Sequence, residues 1–175
     1  MKKYIILVLI VLLIGALFVG VLAVGPSKPA GKSNIAHLYL HEKVPDTWDI
    51  VPEPDGAWGK MKYNLSGPKF DFVFNGHGLV PGWDYTLIYY PDPWPGDELI
   101  CLGSGTANDD GDVHIMGSED TGDLPTAADE KPLGGAKIWL VLSSDVDCGV
   151  KMIGWDPSEY LFEDDVITFD DTDVP

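Results

Sequence analysis

The residues best suited to hold a ligand are aromatic. The chain has six tryptophans, and three stand in turn contexts: Trp83 in Pro-Gly-Trp-Asp, Trp94 in Asp-Pro-Trp-Pro-Gly and Trp155 in Gly-Trp-Asp-Pro. An exposed indole beside carboxylates can hold a sugar face by CH–π contact while the acids bond its hydroxyls. Indoles also anchor protein interfaces. The competing role for each is to plug an end of the core. Trp83 and Trp94 flank opposite ends of the segment 84–90, which as a strand is roughly 25 Å long, so they are expected to serve different ends.

The acidic turn offers a second chemistry. Asn108, Asp110 and Asp112 occupy positions 1, 3 and 5 of a calcium loop, with Glu119 at position 12. Oxygen ligands at alternate positions can converge on a hard cation. Position 6 is Val113, where such a loop needs glycine, and Asp110-Gly111 is a hairpin tip in its own right. A solvated acidic surface, or one adapted to high salt, is the competing account of this turn. It also competes at Asp145 with Asp147, Glu163-Asp164-Asp165 and Asp170-Asp171 with Asp173. Calcium is the one cofactor these residues suggest.

Other chemistries find little support. His37 and His41 are four apart, but Leu38 and Leu40 alternate with them, so the segment reads as a strand and the two rings stand roughly 13 Å apart. That is too far to share a metal. His77 lies between two glycines, where a hydrogen-bonding role in a turn competes with a functional one. No Gly-x-Ser-x-Gly elbow and no phosphate-binding glycine loop occur. With 28 acids, carboxylate pairs are too common to identify a glycoside hydrolase. The expectation is a protein that is not an enzyme. Asn64-Leu65-Ser66 is a glycosylation sequon in a predicted turn, with Asn64 the acceptor.

Cys101 and Cys148 are the only cysteines, with 46 residues between them. Neither belongs to a CxxC pair, which removes a zinc ribbon or a thioredoxin-type site. In an oxidising compartment they are expected to form a disulfide, with two buried thiols the alternative.

The elements that must position these residues read as strands. Phe70, Phe72 and Phe74 alternate with polar or smaller neighbours, as do Leu38 and Leu40, Val113 and Ile115, and Ile138, Leu140 and Leu142. Period two means a strand with one core face. Strands are expected near 36–42, 47–51, 57–63, 69–75, 84–90, 99–105, 112–117, 136–143 and 159–169. Gly and Pro, 34 residues together, punctuate them. Eight or nine short strands suggest a two-sheet sandwich or a barrel, and the expected fold is all-β: one antiparallel, immunoglobulin- or fibronectin-like β-sandwich of eight or nine strands, preceded by an N-terminal hydrophobic helix.

Two resemblances bear on this fold. Leu79-Val80-Pro81-Gly82-Trp83-Asp84-Tyr85 resembles the corner of fibronectin type III modules. The resemblance implies that the Tyr85 hydroxyl bonds back to the corner backbone. The segments Ala57–Tyr63, Phe74–Leu79 and Gly135–Leu142 resemble a group of uncharacterised exported archaeal proteins, which implies export but carries no activity.

Composition and the leader set the compartment. The chain has 175 residues, 11 basic and 28 acidic, for a net charge of −17. Every basic residue is lysine. That balance excludes nucleic acid, whose phosphates need clustered Lys and Arg. Lys2 and Lys3 precede 21 uncharged residues, Tyr4–Val24. This stretch reads as a transmembrane anchor or as a signal cleaved near Ala23. Both place the domain outside the cytoplasmic membrane, either as a single-pass protein with its N-terminus inside or as a secreted one. The organisation is therefore residues 1–25 as leader, 26–34 as flexible linker and 35–175 as one acidic domain. Beyond residue 25 the charge is 9 − 28 = −19. The expected function is an exported, membrane-tethered surface module with structural, protein-binding or glycan-binding roles. A calcium-dependent adhesion domain is second and a secreted hydrolase third.

Overall fold

The structure, a computed structural model, describes residues 33–53, 55–130 and 134–173. The expectations for the leader 1–25, with its hydrophobic helix, and for most of the linker lie outside those residues. Asn34, assigned to the linker, already belongs to the domain: its amide donates to Ser66 O at 2.8 Å and its Oδ1 accepts from Ser66 Oγ at 3.0 Å. Among the described residues no helix is long and apolar enough to cross a membrane.

The described chain is all-β. Its strands are β1 (Ile35–His41), β2 (Trp58–Asn64), β3 (Ser66–Gly67), β4 (Phe70–His77), β5 (Asp84–Tyr90), β6 (Ile100–Thr106), β7 (Val113–Glu119), β8 (Lys137–Leu142), β9 (Val146–Asp147), β10 (Lys151–Met152), β11 (Leu161–Glu163) and β12 (Asp170–Asp171). Eight of them form one sheet in the order β6-β5-β8-β11-β1-β2-β4-β7, with every pairing antiparallel. Of the two arrangements the spacing allowed, with the two-sheet sandwich favoured, the strands take the one nearer a barrel: they share one ladder that curls until its edges meet. The edge strands β6 and β7 pack side by side through small residues. A Cβ on Gly103 would stand 2.8 Å from Ile115 Cγ2, and one on Gly117 would stand 2.9 Å from Leu102 O. The result is nearly a barrel. Closing the sheet shields both edges, which otherwise offer unpaired backbone to other chains.

Alternation supplies the interior. In β4, Phe70, Phe72 and Phe74 are buried while Asp71 and Asn75 are exposed. Leu38, Leu40, Met61, Leu87, Ile138, Leu140 and Leu161 complete the same core. The corner before β5 behaves as the fibronectin resemblance implies: Val80 N donates to the buried Tyr85 hydroxyl at 3.2 Å.

Two expected strands are corrected. Segment 47–51 is a loop whose backbone pairing is confined to the isolated bridge Lys43↔Ile50. The backbone N–H groups of Thr47 and Trp48 both turn back to Val44 O, at 3.2 and 2.8 Å, so a local turn satisfies them instead of a ladder. Segment 159–169 is regular only at β11, followed by isolated bridges at Ile167 and Phe169.

β5 and β8 are buried on both faces. Residues Tyr85, Leu87 and Tyr89 face the core with their partners Leu142, Leu140 and Ile138. By alternation Ile88, Tyr90, Trp139 and Val141 face outward, yet they too are buried. What covers them is a second layer from the loops 91–99 and 143–160. Those loops are bound together by Glu98 N to Val150 O and Met152 N to Pro95 O, at 2.8 and 2.9 Å. Cys101 of β6 is disulfide-bonded to Cys148, with Cα atoms 5.4 Å apart, which ties this layer to the barrel.

Candidate functional site

Where the second layer stops, the outer face of β8 and β11 opens into a cleft of about 630 Å³. Its aromatic walls are Trp48, Tyr90, Trp94, Trp139, Trp155 and Phe162; its charged groups are Lys43, Asp92, Lys137 and Glu163. They come from five stretches of chain, 43–48, 90–94, 137–139, 155 and 162–163. Trp139 and Phe162 are register partners on β8 and β11, opposite in face to the core pair Leu140 and Leu161. Trp94 rides the loop after β5, and Trp155 rides the segment between β10 and β11. Trp48 is set by the turn at Val44. Its φ of +60° lies in the left-handed region, where a bulky residue is uncommon and strained. Strain of this kind concentrates at functional sites.

The rings form inclined walls. Trp155 meets Trp94 edge-on at 5.2 Å and 76°, lies 6.3 Å and 49° from Trp48, and 6.1 Å and 55° from Trp139. Trp48 in turn packs edge-on to Phe162 at 4.9 Å. Trp139 stacks on Tyr90 at 3.9 Å. Trp139 is only 8% exposed, but Trp48, Trp94 and Trp155 are 49%, 53% and 44% exposed. Roughly half of each of these three residues is therefore open to solvent.

The charges are partly spent within the cleft. Lys137 pairs with Asp92, and its ammonium stands 5.9 Å from the Tyr90 ring centre. Lys43 Nζ donates to the backbone carbonyl of Glu163 at 2.8 Å. The Glu163 side chain has Oε2 buried, and no described residue donates a hydrogen bond to it. Burial pushes this carboxyl up from its ordinary 4.5 to about 7, against the pull of its own backbone N–H, Lys43, Lys137 and the Trp139 indole. Tyr90 is raised to about 12, first by burial and then by Asp92 and Asp129.

The candidates from sequence separate. Trp94 and Trp155 are brought together in this cleft. Trp83 lies apart, beside Asp84, Leu142, Ser143 and Ser144 in a smaller depression of about 390 Å³. The calcium set is not assembled. Asn108 Oδ1 accepts from the backbone N–H groups of Asp110 and Asp112, both at 2.9 Å, which makes it the brace of a turn. Asp112 Oδ1 lies 2.7 Å from His77 Nδ1. Glu119 ends β7, some six residues or about 20 Å beyond Val113 at the strand's start. Among the described residues no three His, Cys, Asp or Glu side chains converge as metal ligands. Asn64 is likewise no open glycan acceptor. It is 8% exposed, and its amide nitrogen donates to Ser66 O and Lys69 O at 3.3 and 2.9 Å while its Oδ1 accepts from Asp71 N. A sequon motif carries no information about which way its asparagine faces.

Sequence reasoning missed Trp48, Tyr90, Trp139, Phe162, Lys43, Asp92 and Lys137, and it read Glu163 only as part of the acidic run Glu163-Asp164-Asp165. One signal was present: Lys137 and Trp139 alternate with the core residues of β8, so both had to project outward. No family model, curated protein or solved structure matches the chain.

Proposed function

We propose that the chain is a non-enzymatic binding module displayed outside the cytoplasmic membrane, with the aromatic cleft as its partner site. It is tethered through residues 4–24 where the leader is retained and secreted where the leader is cleaved. Its fold is an immunoglobulin- or fibronectin-like sandwich drawn almost into a barrel, a reading supported by the Tyr85 corner. The observation that carries the binding role is the convergence of three half-exposed indoles, from three separate loops, on one cleft. A core plug needs no such exposure, and ligand sites combine this volume and apolar lining with a few placed polar groups. Protein side chains and glycans are the partner classes.

The test follows the indole N–H resonances while a library of sugars, peptides and small amines is added. At least one class is expected to shift Trp48, Trp94 and Trp155 together and leave Trp83 still. Trp94→Ala or Trp155→Ala should weaken that binding at least about tenfold, the usual loss for an aromatic anchor. A library that moves none of the three, or moves Trp83 equally, sinks the reading. A hydrolase is the second reading, favoured by one observation: Asp92 and the raised acid Glu163 line the same cleft. Turnover of any glycan that binds would promote it.

A further inference from the structure

Three features of the cleft have one chemistry in common. The faces of Trp48, Trp94 and Trp155 carry the negative side of the aromatic quadrupole. They are inclined to one another by 49° and 76° about Trp155, so they enclose a compact group; a flat sugar would want one open platform. Glu163 lines the cleft, and its Oε2 is buried just behind that lining with no described residue donating to it. A buried acceptor of this kind favours a ligand that brings its own donor. The two lysines do not fill that role. Lys137 is held by Asp92, and Lys43 is directed at the Glu163 backbone carbonyl. The four charged lining groups sum to zero when Glu163 is ionised, and they sit in a chain of net charge −17, whose field draws cations in.

We propose that the cleft receives an alkylammonium group that retains an N–H, such as a lysine side chain on a partner or a free small amine. The ammonium would donate to Glu163 Oε2 while its methylenes lie against the indoles, so that cation–π attraction and a charge-assisted hydrogen bond act on the same nitrogen. This assignment rests on the cleft being the binding site.

The experiment titrates the full domain at pH 8.5 with butylammonium, tetramethylammonium, 1-butanol and methyl glucoside, reading the indole N–H shifts. Butylammonium is expected to bind at least about tenfold more tightly than its neutral isostere 1-butanol. Tetramethylammonium, which has no N–H, should fall between them. Glu163→Gln should cost butylammonium about tenfold and leave 1-butanol unchanged; retained indole dispersion shows that the variant is folded. Comparing the free amine with a lysine-containing tripeptide of blocked termini then separates the two sources. Binding of 1-butanol or methyl glucoside as tight as butylammonium overturns the cation assignment but leaves the cleft reading standing. So does a tetramethylammonium affinity equal to that of butylammonium, which removes the N–H requirement. If no probe, and no member of the wider library, moves the cleft indoles, both readings fall.

Discussion

At the scale of single residues, burial and charge meet at Glu163. Its carboxyl titrates near 7 in the folded chain and near 4.5 when exposed. Below 4.5 both forms are protonated, so ionisation makes no difference to stability. Between about 4.5 and 7 the unfolded chain releases its proton and the folded chain does not, so stability falls as pH rises and levels off above 7. That difference corresponds to as much as about 3 kcal/mol. Glu163→Gln should therefore melt higher than the parent at pH 8 and converge with it near pH 4, as followed by calorimetry across that range. An unchanged gap between the two would show that Glu163 is not desolvated. Other single residues mark how far types and spacing could be read. Tyr85 and the cysteine pair were legible because a short motif or a count of two leaves few partners. The sequon did not reveal the hydrogen bonds of Asn64, because whether its amide nitrogen meets two carbonyls depends on the path of the chain from Ser66 to Asp71.

At the scale of elements, period-two alternation in four segments and the Gly and Pro turns between the rest located the eight strands of the main sheet, although β11 keeps only three residues of its expected span. Alternation reports which face is buried, and so it works wherever one side of a strand is wet. It was silent on two matters. It could not tell two sheets from one curled sheet, since both bury the same face. It also read segment 47–51 as a strand where a turn at Val44 takes the hydrogen bonds. The seam between β6 and β7 is the element-scale feature most open to test. A Cβ at position 117 would meet Phe72 Cε1 at 2.6 Å and Leu102 O at 2.9 Å, and the second of these is backbone that cannot swing aside. Gly117→Ala is expected to cost about 1–3 kcal/mol by overpacking. Ser118→Ala, one residue along on the exposed side, should stay within about 0.5 kcal/mol. Urea denaturation of the two variants measures both, and equal midpoints would mean that the seam is loose.

At the scale of the whole molecule, the disulfide joins the barrel to the layer that builds the cleft. Closing a loop of sequence separation 47 corresponds to an upper figure of about 4 kcal/mol in the chain-entropy account. Replacing both Cys101 and Cys148 with alanine should lower the unfolding free energy by up to that amount. It should also broaden the indole resonances of Trp94 and Trp155 more than that of Trp83, because only the first two sit on segments near the bridge. Uniform broadening would deny the layer any separate dependence on it. By itself the sequence determined the all-β class, the positions of most strands, the cysteine partner and the separation of Trp83 from Trp94. Each of these follows from local spacing, composition or the length of a single strand. Only the tertiary structure decided that Trp48, Trp94, Trp139 and Trp155 share a cleft with Glu163, and that Glu119 is far from Asn108. Contacts between residues so far apart in sequence are set by the curl of the sheet and the path of the loops across it, and no local pattern encodes either.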